Sequence, residues 1–303
     1  MTKITKRIAT GLWFDTQAEE AANFYTSLFP NSHVGVIARY GKEGYEVHHQ
    51  PEGQVLTVTF NLDGQEFMGT NGGPLFKMNP TISLFTVCET EAEITKLWKA
   101  LSKDGTVMMP LDKYDWSEKW GWVSDRYGLS WQLNLGSVKD VGQRITPMVM
   151  YVGNQFGKAE EAVKFYTTVF ENSSIETIQR YGPEIDGHEG KVMHARFKLA
   201  GQTFMAMDGG LQHDFEFNEG IALVVNCETQ AEIDNYWKKL TAGGKESMCG
   251  WLKDKFGLSW EVAPVQLGEM LIDPDPKKKG RVMNAFLKMR KYDLATLEKE
   301  YAG

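Results

Sequence analysis

His194, Arg196 and Lys198 alternate with apolar residues. A strand through them puts an imidazole, a guanidinium and an ammonium on one face. Glu261 lies in a second stretch of strand character, Ser259-Trp260-Glu261-Val262. A carboxylate beside an imidazole orients the ring and raises its pKa, which makes a general acid–base unit. His194 and Glu261 are therefore the candidate catalytic pair. Each also has a plainer reading: a strand hydrogen bond for His194, a salt bridge to Arg196 for Glu261. His48 and His49 are sequence neighbours and would not share a strand face, so they do not read as a chelating pair.

The positioning elements follow from an internal repeat. Residues 18–41 match 159–182 with 14 identities in 24 positions, which is duplication and not chance. Gly64-Gln65-x-Phe67-Met68 recurs as Gly201-Gln202-x-Phe204-Met205, and Gly128-Leu129-Ser130-Trp131 recurs as Gly257-Leu258-Ser259-Trp260. Asn71-Gly72-Gly73 and Asp208-Gly209-Gly210 read as turns, or as loops rimming a ligand. Each copy reads as strand, helix and three strands, twice over. Thr16–Glu19, Thr90–Glu93 and Thr229–Glu232 have capping-box spacing ahead of apolar helical stripes. Leu56, Val58, Phe60 and Leu62 alternate with polar residues at the strand period. The expected domains are 1–138 and 142–265, with a helical tail at 266–303. Strand-rich stretches with single crossover helices indicate α+β.

Composition removes several functions. Of 303 residues, 33 are Lys or Arg and 40 are Asp or Glu, a net charge of −7 that argues against nucleic-acid binding. Lys277-Lys278-Lys279 reads as a solvated helix end. No apolar run has membrane-spanning length, and the first residues lack the apolar core of a secretory signal. The three Cys residues (88, 227 and 249) form no CxxC pair, which points to reduced thiols and a cytoplasmic protein. Cys249 lacks a repeat partner and is the thiol to test for reactivity. No G-x-G occurs, so the glycine-rich phosphate turn of common dinucleotide and S-adenosylmethionine sites is missing.

The AEEAxxFY helix, the Gly-Gln-x-Phe-Met segment, Trp116-Ser117…Gly121-Trp122-Val123 and the GLSW strand together resemble one group. It is the 3-demethylubiquinone 3-methyltransferase-like (PhnB-like) branch of the vicinal oxygen chelate superfamily, which also holds glyoxalase I, bleomycin-resistance proteins and extradiol dioxygenases. The resemblance implies two tandem glyoxalase-like domains of paired βαβββ modules, with sheets curling around clefts and helices outside. Single-domain members typically dimerise, so it also implies a pseudo-dimer within the chain, or a homodimer.

Metal-dependent members take ligands from the first and last strands of each module. Carried over, those positions fall near Ala9, Phe67, Thr81 and Gln132, then Thr146, Phe204, Gly220 and Glu261. One carboxylate, one amide and two hydroxyls among these eight positions cannot assemble the shell of a divalent cation, so no metal or other cofactor is expected. If the curled faces line a cleft, alternation adds Arg196, Lys198, Asp208 and Met150 beside the catalytic pair. In the first copy it adds Trp13, Thr57, Thr59, Asn61, Asn71 and Gln132, with Trp122 in an aromatic stretch able to cover an apolar ligand. The expected partner is a small molecule, in a metal-independent enzyme or binding protein. The alternatives are a metal-dependent lyase or dioxygenase and a drug-sequestering protein.

Overall fold

The computed structural model describes residues 6–185, 187–209 and 212–303; Gly210 of the second turn motif lies outside them. Four βαβββ modules follow one another. The first holds β1 (Ile8–Phe14), α1 (Ala18–Leu28), β2 (His33–Arg39), a short helix α2 (Tyr45–His48), β3 (Val55–Leu62) and β4 (Gln65–Asn71). The second holds β5 (Ile82–Cys88), α3 (Glu91–Ser102), β6 (Thr106–Tyr114), β7 (Ser117–Ser124) and β8 (Ser130–Leu135). After the short α4 (Val138–Val141) the third holds β9 (Ile145–Tyr151), α5 (Ala159–Val169), β10 (Ser174–Arg180), β11 (Val192–Leu199) and β12 (Gln202–Asp208). The fourth holds β13 (Ile221–Cys227), α6 (Gln230–Thr241), β14 (Lys245–Glu246), β15 (Trp251–Lys253) and β16 (Ser259–Pro264). The tail adds α7 (Val265–Leu271), α8 (Pro276–Phe286) and α9 (Leu294–Ala302).

These strands make two eight-stranded sheets, β14-β15-β16-β13-β1-β4-β3-β2 and β10-β11-β12-β9-β5-β8-β7-β6. The compact units do not follow the sequence repeats. One takes the residues up to Lys77 together with Asn218–Gly303, and the other takes Met78–Phe217. Each sheet joins a module from each repeat through their first strands, β1 antiparallel to β13 and β5 antiparallel to β9. Connection length does not select this pairing, since ten residues separate β4 from β5 and nine separate β8 from β9. The first and fourth modules complete a sheet with one another. Below, unit 1 is the first-plus-fourth pairing and unit 2 the second-plus-third.

Helix starts show where local and distant partners compete. α6 begins with the expected box, Thr229 accepting from the Glu232 amide while the Glu232 carboxylate accepts from the Thr229 amide. At α1 the expected box does not form: the N-cap is Gln17, with no side-chain cap. Glu19 is drawn instead to Arg39 at 3.2 Å, and in the second repeat Glu160 is drawn to Arg180 at 2.7 Å. Free helix amides still need acceptors, and strand ends supply them. Asn71 Oδ1 accepts from the Ala18 amide at 2.9 Å, and Asp208 Oδ1 accepts from Gly157 and Ala159 at 2.7 and 3.2 Å. The tyrosines beside those arginines close the arrangement, Tyr40 donating to the Asn71 carbonyl and Tyr181 to the Asp208 carbonyl.

The repeated GLSW strands are anchored by an aspartate ahead of each. Asp125 and Asp254 accept the indole N–H of buried Trp131 and Trp260, each at 2.8 Å, and also accept backbone amides of the intervening turn. The tail belongs to unit 1, where α7 packs on β2 and the amides of Cys249 and Gly250 donate to the carbonyls of Met289 and Arg290. Asp275 caps α8 and Asp293 caps α9. Among the described residues no helix is long and apolar enough to cross a membrane.

Candidate functional site

Each sheet has one face against its helices, and the site candidates must be sorted by face. In unit 1, Phe67 stacks on Phe60 at 5.2 Å, and Phe60 meets Tyr25 of α1. A Cβ on Gly69 would touch that of Ala18 in α1 at 3.2 Å. Phe67, Gly69 and Asn71 therefore face the helix, and alternation turns Glu66, Met68 and Thr70 to the opposite, inner face. The sequence-based placement of a ligand position at Phe67 is corrected by one residue, and Phe204, stacked on Phe197, is corrected likewise.

On the inner face of unit 1, Gly11 sits against Val224, and Val224 and Trp251 flank Glu261 in register. Trp13 meets Trp251 edge-on at 5.9 Å and Phe76 at 5.0 Å, and its indole donates to the Gly73 carbonyl at 2.8 Å. Thr57 lies on the same face, opposite Thr70. Glu261 is 7% exposed, and its Oε2 has no hydrogen-bond partner among the described residues. Burial alone pushes this carboxyl up to about 8, so it is an uncharged acid at neutral pH. Trp251 and Glu66 were missed from sequence, although Trp251 is the repeat partner of Trp122.

The inner face of unit 2 has another chemistry. Tyr151 reaches the Tyr166 hydroxyl of α5, and Gly121 lies against Trp98 of α3, which fixes the helix side. Opposite lie Met148 and Met150, in register with Met205 and Met207. These flexible thioethers make an adaptable apolar floor. Gln132 donates to the Ser83 hydroxyl at 2.8 Å, and the Trp122 indole donates to the Ser130 hydroxyl at 2.7 Å. Thr146 is buried with no partner for its Oγ1 among the described residues. Along the rim, His194, Arg196 and Lys198 share the face as expected. Burial, helped by Arg196, lowers the His194 pKa and keeps its imidazole neutral.

Three sequence-based assignments change. His194 belongs to unit 2 and Glu261 to unit 1, so they are not one acid–base pair within a unit. Arg196 does not bridge to Glu261; it pairs with Glu176 at 2.7 Å and donates to the Asp140 carbonyl at 2.7 Å. Asn71 and Asp208 are scaffold residues. Asn71 Nδ2 donates to the Val55 carbonyl at 3.1 Å, and Asp208 Oδ2 accepts from the Val192 amide at 2.9 Å, in addition to the helix starts they hold. His48 lies in α2, where its Nδ1 accepts from the Gln50 amide.

Cys249 is not an activated thiol. Burial, and then the charge of Glu261, push it up to about 12, the level that burial also gives Cys88 and Cys227. Since the thiolate is the nucleophile, iodoacetamide at neutral pH is expected to leave all three unmodified in folded protein and to label all three after denaturation. Rapid single-site labelling of the native chain, seen by intact mass, would contradict this environment.

The donor set also bears on a divalent cation. On the inner face around Glu261 lie Ala9, Gly11, Ala222, Val224 and Met68, with Glu66 beyond Ala9, which leave two carboxyls and one thioether and, among the described residues, no cluster of three ligating side chains. In unit 2 the corresponding groups are Ser83, Gln132, Thr146 and Met205, all neutral. Neither set suits the oxygen- and nitrogen-rich shell that Zn, Ni, Mn or Fe takes in such sites.

A family model described as 3-demethylubiquinone-9 3-methyltransferase matches residues 6–134 and again 143–263. The chain belongs to this family. Its fold is that of the vicinal oxygen chelate superfamily, with two glyoxalase-like sheets in tandem. The family's PhnB protein from Bacillus cereus is 45% identical, covering 43% of this chain and 100% of its own, with a TM-score of 0.40. Glyoxalase I from Zea mays is 10% identical over 85% of this chain and 93% of its own, with a TM-score of 0.53, a likeness of fold alone. No curated protein matches the chain.

Proposed function

We propose that this chain binds a small organic ligand on its inner faces without a metal. The observation that carries the reading is Glu261: a buried, uncharged carboxylic acid with a vacant oxygen, beside the Trp13–Trp251 pair. Such a group donates a hydrogen bond or a proton to a carbonyl or phenolic oxygen, while the indoles hold an aromatic ring. His194 supplies unit 2 with a neutral imidazole above an apolar floor, a base where unit 1 has an acid. Methyl transfer, the reaction in the family's name, finds no support in a chain without a glycine-rich cofactor turn.

Titration with aromatic aldehydes and ketones, followed by tryptophan fluorescence, tests this. Saturable binding is expected at pH 7, weakening above the Glu261 pKa of about 8. Glu261→Ala should weaken it roughly tenfold, the worth of about 1.4 kcal/mol. Glu261→Gln should retain binding, because the amide still donates, but lose the pH dependence. Equal binding by Glu261→Ala would refute the assignment. A probe recovered unchanged marks a binding protein, as in the drug-sequestering reading, and a converted one marks an enzyme.

A further inference from the structure

In unit 1, a cavity of about 540 Å³ lies between the segment after β2 and the start of α8, lined by Arg39, Lys42, Lys277 and Lys279 among others. None of the inner-face residues described above lines it. Four cations converge on it from two distant parts of the chain, against two carboxylates, Glu43 and Glu52. Glu52 is engaged by Lys42 at 4.0 Å. Arg39 reaches Glu19, outside the cavity, at 3.2 Å with both groups substantially exposed. Lys278, between the other two lysines, pairs with Asp273 at 3.8 Å and covers the Tyr301 ring. Lys277 and Lys279 have no ion-pair partner among the described residues. Tyr40, Leu271 and Met283 supply an apolar wall.

We propose that this cavity is a binding site for a small organic anion carrying phosphate or carboxylate groups. Lys277, Lys279 and Arg39 hold the charged end, and the short apolar part rests on Leu271 and Met283. Two ammonium groups outside any close ion pair, Lys279 with Asp273 in its wider field, and an adjacent guanidinium match a multiply charged oxyanion, which takes point charges and a planar fork together. A cationic ligand would instead meet four like charges against two carboxylates. The lysine run that reads from sequence as a solvated helix end thus acquires a ligand class from its placement opposite Arg39 and Lys42. Because the walls come from β2 and the tail, binding also ties α8 to the sheet.

Isothermal titration with inorganic pyrophosphate and with citrate, each against sodium chloride of matched ionic strength, tests the site on the full chain. At least one probe is expected to bind wild type saturably at one site. Pyrophosphate alone would assign phosphate, citrate alone would assign carboxylate, and both would assign a general oxyanion site. The double variant Lys277→Gln, Lys279→Gln should weaken binding at least tenfold. Lys113→Gln, which removes an exposed pair with Glu118 in unit 2, should leave it unchanged, and Glu43→Gln should strengthen it. No saturable binding by wild type, equal binding by the double variant, or weaker binding in Glu43→Gln would each overturn the proposal.

Discussion

Asp208→Ala is expected to cost roughly 4 kcal/mol of stability, because removing one buried carboxylate strands three backbone amides, those of Gly157, Ala159 and Val192. Asp208 is 1% exposed and holds both the start of α5 and the first residue of β11. The repeat shows why this group is specific. At Asn71 the second atom is a donor facing the Val55 carbonyl; at Asp208 it is an acceptor facing the Val192 amide. Asp208→Asn would keep the acceptor for α5 but turn an N–H toward an N–H, so an intermediate loss is expected. Urea denaturation measures both. A ligand-contacting aspartate, the reading its sequence position invites, would leave the midpoint unchanged, and that result would return Asp208 to the site.

The second large effect is a pH dependence carried by Glu261. Its carboxyl titrates at about 8 when folded against 4.5 for the free side chain. Between those values the folded state keeps a proton that the unfolded chain has released. Stability from this group is therefore complete below about pH 4.5, falls as pH rises, and levels off above about pH 8. At 1.36 kcal/mol per pH unit the loss is on the order of 4–5 kcal/mol. Glu261→Gln cannot ionise, so it should match wild type at low pH and exceed it increasingly toward pH 8. Only the difference between the two proteins isolates the effect. Glu66 is also raised by burial, whereas Glu160, held by Arg180 and Lys164, is lowered to about 2 and acts in the opposite sense at low pH. Parallel stability curves for wild type and variant would mean that Glu261 is ionised or solvated.

The duplication, the four modules and the tail helices were legible in the chain because each rests on local patterning: strand alternation, apolar helical stripes and capping residues. Which modules share a sheet was not, because the pairing joins first strands far apart in the chain, and the links between successive modules are nearly equal in length. Alternation placed His194, Arg196 and Lys198 on one face correctly, since charged residues at that period admit one arrangement. It failed by one residue at Phe67 and Phe204, where both neighbours are compatible with burial and only contact with the helix decides. Asn71 and Asp208 looked like ligand contacts because their partners lie far along the chain. Glu261 was legible as a candidate, but its uncharged state was not. That state arises from burial among Val224, Trp251 and the neighbouring strands.

Infrared difference titration, wild type minus Glu261→Gln, reports the carboxyl directly. A carbonyl band of a protonated acid should be present at pH 6 in wild type alone, and should give way to carboxylate bands through about pH 8. A difference spectrum already showing only carboxylate at pH 6 would contradict the uncharged acid on which the proposed function rests.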